Sequence, residues 1–311
     1  MYDNLDMVLN RDQAGNIDLL AEVPCKLQNV KYGTHDGNKY AGGYIDGLKV
    51  KVSKNRVTVY ESSLCKWYFG ENFQTLTRGD TKRAFEKLSD LLSLPMYKAS
   101  INRIDLAQNF IMRFEPDVYY NHLGTLQYFK RLPQDKGLYY NGNNKQLVFY
   151  NKVADYIDKG LPVPVMYQNR YVVRYEMRFT GRLLSQFNMP ELRAEMLYDE
   201  IFYMNIINRW YEQYKNINKL RETKIIDYSM IKTKEQLKTQ ALLLLIHEQG
   251  GELEFYKRIA EAQAKGELTK KQAFDLRNLI KEASKNKIQT SESDVIIELD
   301  KKVKEAVKYY V

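Results

Sequence analysis

Three stretches of alternating side chains constrain this chain more than anything else in it. Successive residues of a β-strand face opposite ways. Residues 101–110 therefore set Arg103, Asp105 and Asn109 on one face and Ile104, Leu106 and Phe110 on the other. Residues 147–152 set Val148, Tyr150 and Lys152 opposite Leu147 and Phe149. Tyr171–Phe179 sets Arg174, Glu176 and Arg178 opposite Val173, Tyr175, Met177 and Phe179. One face of each stretch is apolar and the other carries charge or a phenol, so each predicts a strand of a half-buried sheet. If the three are neighbours, a tyrosine, a lysine and two carboxylates meet on one sheet face.

The rest of the chain supplies partners for these strands. Residues 48–52 and 56–61 alternate around Ser53-Lys54-Asn55 and predict a hairpin. An aromatic-rich loop covers 62–73. A helix follows over 80–93, with Ala84, Leu88, Leu91 and Leu92 as its apolar stripe and Pro95 as its stop. Pro116 opens a short helix. Asn141-Gly142 reads as the turn leading into the Tyr150 strand. From Pro190 onward Leu192, Met196, Phe202, Ile206, Trp210 and Tyr214 recur at helical spacing, and Thr233 and Thr269 open two later helices. The expected fold is α+β: a central antiparallel sheet with flanking helices over residues 1–185, then a helical C-terminal region over 186–311. Its end helix, 301–308, is amphipathic and suited to self-association as a homodimer.

Charge and composition exclude several function classes. The net charge of +9 points to a polyanionic partner, nucleic acid or an anionic membrane surface. No run of 18 apolar residues exists, so no span of a bilayer is expected. Residues 1–6 lack the basic-then-apolar order of a leader, and Cys25 and Cys65 make no disulfide framework, which together predict a reducing cytoplasmic setting. Only His35, His122 and His247 are present, too few and too scattered for a His-x-His pair or a zinc spacing. Tyrosine is abundant at 25, so a tyrosine alone identifies nothing.

The chemistry open to the shared face is phosphoryl transfer. A phenol has a pKa near 10, so a tyrosinate at neutral pH costs roughly 4 kcal/mol without help from neighbours. Lys152 lowers that cost, and a hard cation such as Mg²⁺ or Mn²⁺, held by Asp105 and Glu176, would polarise the scissile phosphate. The plainer reading is also consistent: Tyr150 as a packing tyrosine, and Asp105 and Glu176 as cross-strand ion pairs with their arginine neighbours.

Residues 61–73, with Ser63-Leu64-Cys65-Lys66 and Gly70-Glu71-Asn72, resemble the Ser-Leu-x-Lys and Gly-x-Asn signature of filamentous-phage gene II/X-type nicking proteins. Residues 103–110 are similar to a motif shared with Rep_trans plasmid initiators, Val148-Phe149-Tyr150-Asn151-Lys152 resembles their Tyr-Asn/Asp-Lys motif, and Arg174-Tyr175-Glu176-Met177-Arg178 resembles their arginine–glutamate motif. The matches run in order over most of residues 57–250. The resemblance implies a rolling-circle replication initiator. Such a protein nicks one strand of origin DNA, single-stranded or hairpin, and stays on the 5′ phosphate through a phosphotyrosine. The free 3′-OH then serves a host polymerase working with a host helicase. It implies Tyr150 as nucleophile, helped by Lys152 and Arg174, and Asp105, Glu176 and Asn109 as ligands of Mg²⁺ or Mn²⁺. Asn109 stands where the family has a second aspartate; Glu61 is a weak third carboxylate.

Expected DNA contacts are Arg103, Lys66, Trp67, Tyr68, Asn72 and Tyr140, the Lys66–Tyr68 cluster being suited to stacking an unpaired base. Tyr139, Tyr140 and Tyr156 compete with Tyr150, and a two-tyrosine mechanism stays open. Lysines of the C-terminal helices, from Lys257 to Lys287, add possible grip on duplex DNA. The rivals are a non-cleaving origin-binding protein of the same fold and a metal nuclease that uses water.

Overall fold

The computed structural model describes residues 1–220, 231–285 and 294–310. Among the described residues ten strands form one antiparallel sheet: β1 (Tyr2–Asn10), β2 (Gln28–His35), β3 (Asn38–Ile45), β4 (Leu48–Ser53), β5 (Arg56–Val59), β6 (Ser100–Met112), β7 (Lys130–Gln134), β8 (Gly137–Gly142), β9 (Lys145–Asn151) and β10 (Tyr171–Phe179). Their spatial order is β2-β3-β4-β5-β1-β6-β10-β9-β8-β7. The three alternating stretches are therefore adjacent, with β10 between β6 and β9. Arg178 pairs with Asp105, Arg174 with Asn109, and Arg174 again with Tyr150.

One sheet face is sealed by helices. Arg78–Leu92 buries Ala84, Phe85, Leu88 and Leu92, and its start is fixed by a capping box between Thr77 and Asp80. Glu200–Lys215 lays Trp210 on Tyr175 at 4.7 Å between centroids, and Tyr175 stacks on Phe149 at 4.5 Å. Asp294–Tyr310 adds Ile296, Leu299 and Val303 to the same core.

The C-terminal region is thus not one unit. Its helices Glu200–Lys215 and Asp294–Tyr310 contribute to the sheet's core. Lys234–Glu248, Glu252–Ala264 and Lys270–Lys285 pack on one another around Leu243, Ile246, Ile259, Ala273, Ile280 and Ala283. On these helices Lys257, Arg258 and Lys285 pair with glutamates of their own helix. Lys287 lies outside the described residues. Among the described residues no helix is long and apolar enough to cross a membrane.

Three local expectations are corrected. Residues 62–73 are not all loop: Leu64–Phe69 is helical, capped by Ser63 and ended by Gly70 in the left-handed conformation. The hairpin turn falls at Asn143–Asn144, not Asn141–Gly142, because Gly142 still pairs with Lys145. The strand expected to run through Lys152 stops at Asn151, whose side chain accepts from the Ala154 amide and starts the helix Lys152–Asp158.

Candidate active site on the polar sheet face

The second sheet face carries the polar set. It is open over β2 to β5 and partly roofed at β6, β10 and β9 by residues 63–76 and the helix Lys152–Asp158. Asn72 ties that roof down. Its carbonyl accepts from Arg174 Nη1 at 2.9 Å and Asn109 Nδ2 at 3.2 Å, and its side-chain oxygen accepts from the Tyr156 hydroxyl at 2.7 Å.

Tyr150 and Glu176 meet under this roof. The half-buried phenol donates to Glu176 Oε1 at 2.8 Å. The same oxygen accepts from Arg174 Nε at 2.7 Å, while Oε2 accepts from Arg178 Nε at 2.9 Å and Nη2 at 2.6 Å. Burial opposes ionisation of Glu176, but Arg174 and Arg178 outweigh it and hold the carboxyl below its ordinary value. For Tyr150 burial dominates and pushes the phenol well above 10, against the pull of Arg174.

Arg174 is fully buried and every arm is occupied. Besides Glu176 and Asn72 it reaches Asn109 Oδ1 at 3.2 Å, and its Nη2 donates to Asp3. Asp3 also accepts from Ser63 Oγ and, at 3.3 Å, from Asn72 Nδ2. Asp3 was not among the expected site residues. It supplies the third carboxylate, while Glu61 is exposed and pairs with Lys49 at 3.0 Å. Asp105 shares the face but is clasped by its own neighbour: Arg103 donates through Nε at 2.9 Å and Nη2 at 2.7 Å, and Asn4 Nδ2 at 3.0 Å. Burial raises the Asp105 carboxyl to about 6 in spite of Arg103.

Lys152 is buried near the phenol. Its Nζ lies 5.8 Å from the Tyr150 ring centroid, 5.7 Å from Phe73 and 4.5 Å from Tyr156. Burial and then the Arg174 charge lower its pKa to about 7.

Two expected DNA contacts are not on this face. Tyr140 pairs with Leu147, so it points to the core, where its hydroxyl donates to the Gly124 carbonyl at 2.7 Å. Tyr139, opposite Val148, is the one that shares the Tyr150 side. Trp67 is packed into the core, with Lys87 Nζ 4.7 Å from its ring centroid, so it offers no free face for a base. Lys66 and Tyr68 stay half-buried, and Tyr68 packs edge-on against Phe69. Arg103 and Arg178, 27% and 24% exposed, are the site guanidiniums within reach of solvent.

The same donor set offers little to Mg²⁺ or Mn²⁺. The three carboxylates Asp3, Asp105 and Glu176 face the three guanidiniums Arg103, Arg174 and Arg178, so the cluster is already neutral. Both Glu176 oxygens accept two bonds each, and the Asn109 oxygen is taken by Arg174. Among the described residues no group of three acidic, histidine or cysteine side chains is arranged to hold a metal. A divalent cation does not fit these side chains as they stand, since cationic donors occupy the oxygens it would need.

The face so assembled belongs to a basic protein that carries a tyrosine and an arginine–carboxylate network on one side of a large antiparallel sheet. The family Phage_CRI, described as the N-terminal part of a replication-associated protein, matches residues 1–213, more than half of the sequence, and the chain belongs to that family. This makes it a replication initiator of the phage rolling-circle type, whose ligand is origin DNA. No curated protein matches the chain.

Proposed function

We infer that the chain initiates replication by nicking one strand of origin DNA, with Tyr150 as the nucleophile. The phenolic oxygen attacks the scissile phosphorus as its proton is taken up, the P–O3′ bond breaks, and the departing O3′ takes a proton from water so that the strand leaves with a 3′-OH. A 5′-phosphotyrosine preserves the energy of the broken linkage for later rejoining. The carrying observation is the 2.8 Å bond from Tyr150 to Glu176, in a chain of this family, on a face shared by three neighbouring strands.

Roles follow from access and charge. Glu176, kept ionised by two arginines, orients the phenol and is a poor proton acceptor. Lys152, neutral above about pH 7, is suited to take the phenolic proton. Arg174 has no free arm and acts as a positioning residue, so contact with the phosphate falls to Arg103 and Arg178. No step here is routed through a metal.

The test is a denaturing gel of wild type and Tyr150→Phe after incubation with single strands carrying the element's origin, with and without Mn²⁺. A covalent protein–DNA band in the wild type alone supports the reading. Cutting without a band, preserved in Tyr150→Phe, indicates water as nucleophile. Binding without cutting indicates the non-cleaving origin binder, a rival favoured by the saturated carboxylates.

A further inference from the structure

The open face of β2 to β5 takes no part in the reaction described above. Its strands form a groove of about 1500 Å³ with β1 and the segment around Asp18. Lys39, Lys51, Lys54 and Arg56 line it together with Tyr40 and Tyr60. None of the four cations has an ion pair among the described residues. Asp18 is spent capping a helix, through the amides of Leu20 and Ala21, and Asp36 pairs with His35 at 3.1 Å. Lys51 sits 4.2 Å above the Tyr40 ring and stays half-exposed.

The part of the groove that carries Tyr40, Lys51, Arg56 and Tyr60 lies on the same side of the sheet as the active site, with Lys39 at its rim. Residues paired directly across strands share a face. Lys51 pairs with Thr58, Thr58 with Val8, and Val8 with Ser100. Two residues further back on β1, Asp6 pairs with Arg103, beside Asp105. The polar row is therefore continuous from the groove to the catalytic cluster. From β4 to β9 there are five strand spacings of about 4.8 Å, or roughly 24 Å across the sheet, and Tyr150 is level with Asn109, nine residues along β6 from Ser100, or roughly 30 Å along the strands, so the two lie about 38 Å apart. At about 3.4 Å per base pair this is about eleven base pairs of DNA.

We propose that this groove grips the sugar–phosphate backbone of the DNA flanking the nick, about eleven base pairs from the scissile phosphate. The four cations fix the strand's register on the sheet without reading its sequence. The proposal rests on the nicking reading for its orientation, but its test does not.

The experiment measures binding of the full chain to an arbitrary-sequence duplex and to a single strand of the same length, over a range of salt. The variant carries Lys39→Ala, Lys51→Ala, Lys54→Ala and Arg56→Ala together. All four lie on the surface, and an unchanged Tm confirms folding. Four lost phosphate contacts make the log–log salt slope shallower by about 3 to 4 on duplex or about 3 on single strand, and weaken binding at least about tenfold. Loss on duplex alone places the flanking helix in the groove; loss on single strand alone places the displaced strand there. Wild-type affinity and slope on both DNAs overturn the proposal. So does an equal loss from Lys265→Ala, Lys270→Ala, Lys271→Ala and Lys281→Ala, because affinity would then follow net charge and not the groove. A covalent adduct can still form in either failure, and its absence leaves these binding results standing.

Discussion

Arg174 decides whether the active-site network holds together. It is buried between Asp3 and Glu176, two carboxylates that water does not reach. Arg174→Met leaves both without their shared counter-charge, and breaking such buried pairs costs about 3–5 kcal/mol. Urea denaturation of the variant is expected to show a loss of that size, and an unchanged midpoint would remove Arg174 from the centre of the site. Lys152 makes a different prediction. Its folded pKa of about 7 lies below the ordinary 10.5, so between those values the unfolded chain binds a proton that the native state does not. Stability therefore rises with pH from about 7 to 10.5, and below 7 the buried charge carries its full penalty. Lys152→Met is expected to lack that rise in thermal melts taken from pH 6 to pH 10. The rate of adduct formation by the wild type should climb through pH 7 as the amine becomes neutral, and a rate flat across that range would exclude Lys152 as proton acceptor.

Adjacent strands place the site, and their spacing leaves no slack. Gly137 lies directly opposite Tyr150, and a Cβ there would run into the Phe149 carbonyl oxygen and lie 3.0 Å from the Tyr150 Cβ. Gly137→Ala must push β8 off β9 and move the phenol, costing about 1–3 kcal/mol as an overpacking change. Both the melting temperature and the adduct rate should fall, and a variant with the wild-type values would show that the pairing tolerates the shift. The three central strands were legible because each has one buried face, and alternation records that directly. The side of Tyr140 was legible too. Moving the turn from Asn141–Gly142 to Asn143–Asn144 slides the pairing by an even number of residues, which keeps every side chain on its face. Tyr140 belongs with Leu147 in either register, and so to the core. β1 was not legible. Asp3, Asn4, Asp6 and Asn10 are poor strand formers, and two register shifts against β6 break its alternation. With β1 hidden, Asp3 was hidden as well: the third carboxylate comes from a strand with no periodic signal. The helix at Leu64–Phe69 was masked by its own aromatics, although Ser63 and Gly70 mark its two ends.

At the scale of the molecule, the fold closes by returning the helix Asp294–Tyr310 to the ten-stranded sheet. Asp294–Tyr310 inserts Leu299 and Val303 into the main core, and Glu298 and Asp300 accept from Arg113 and Tyr214. A chain cut after residue 217 loses that cover and is expected to be aggregation-prone or to unfold at markedly lower temperature. Full solubility and an unchanged melting temperature of residues 1–217 would show the helix to be dispensable. Composition changes from strand to helix near 185, but burial does not, since side chains from both sides of that point share one core. The central claim is that one phenol on the polar sheet face becomes bonded to DNA. Its most direct test is mass spectrometry of the nuclease- and protease-digested adduct formed with origin DNA. The expected product is a nucleotide phosphate on the peptide containing Tyr150. A phosphate on Tyr139 or Tyr156, or cut DNA with no modified peptide, would contradict it.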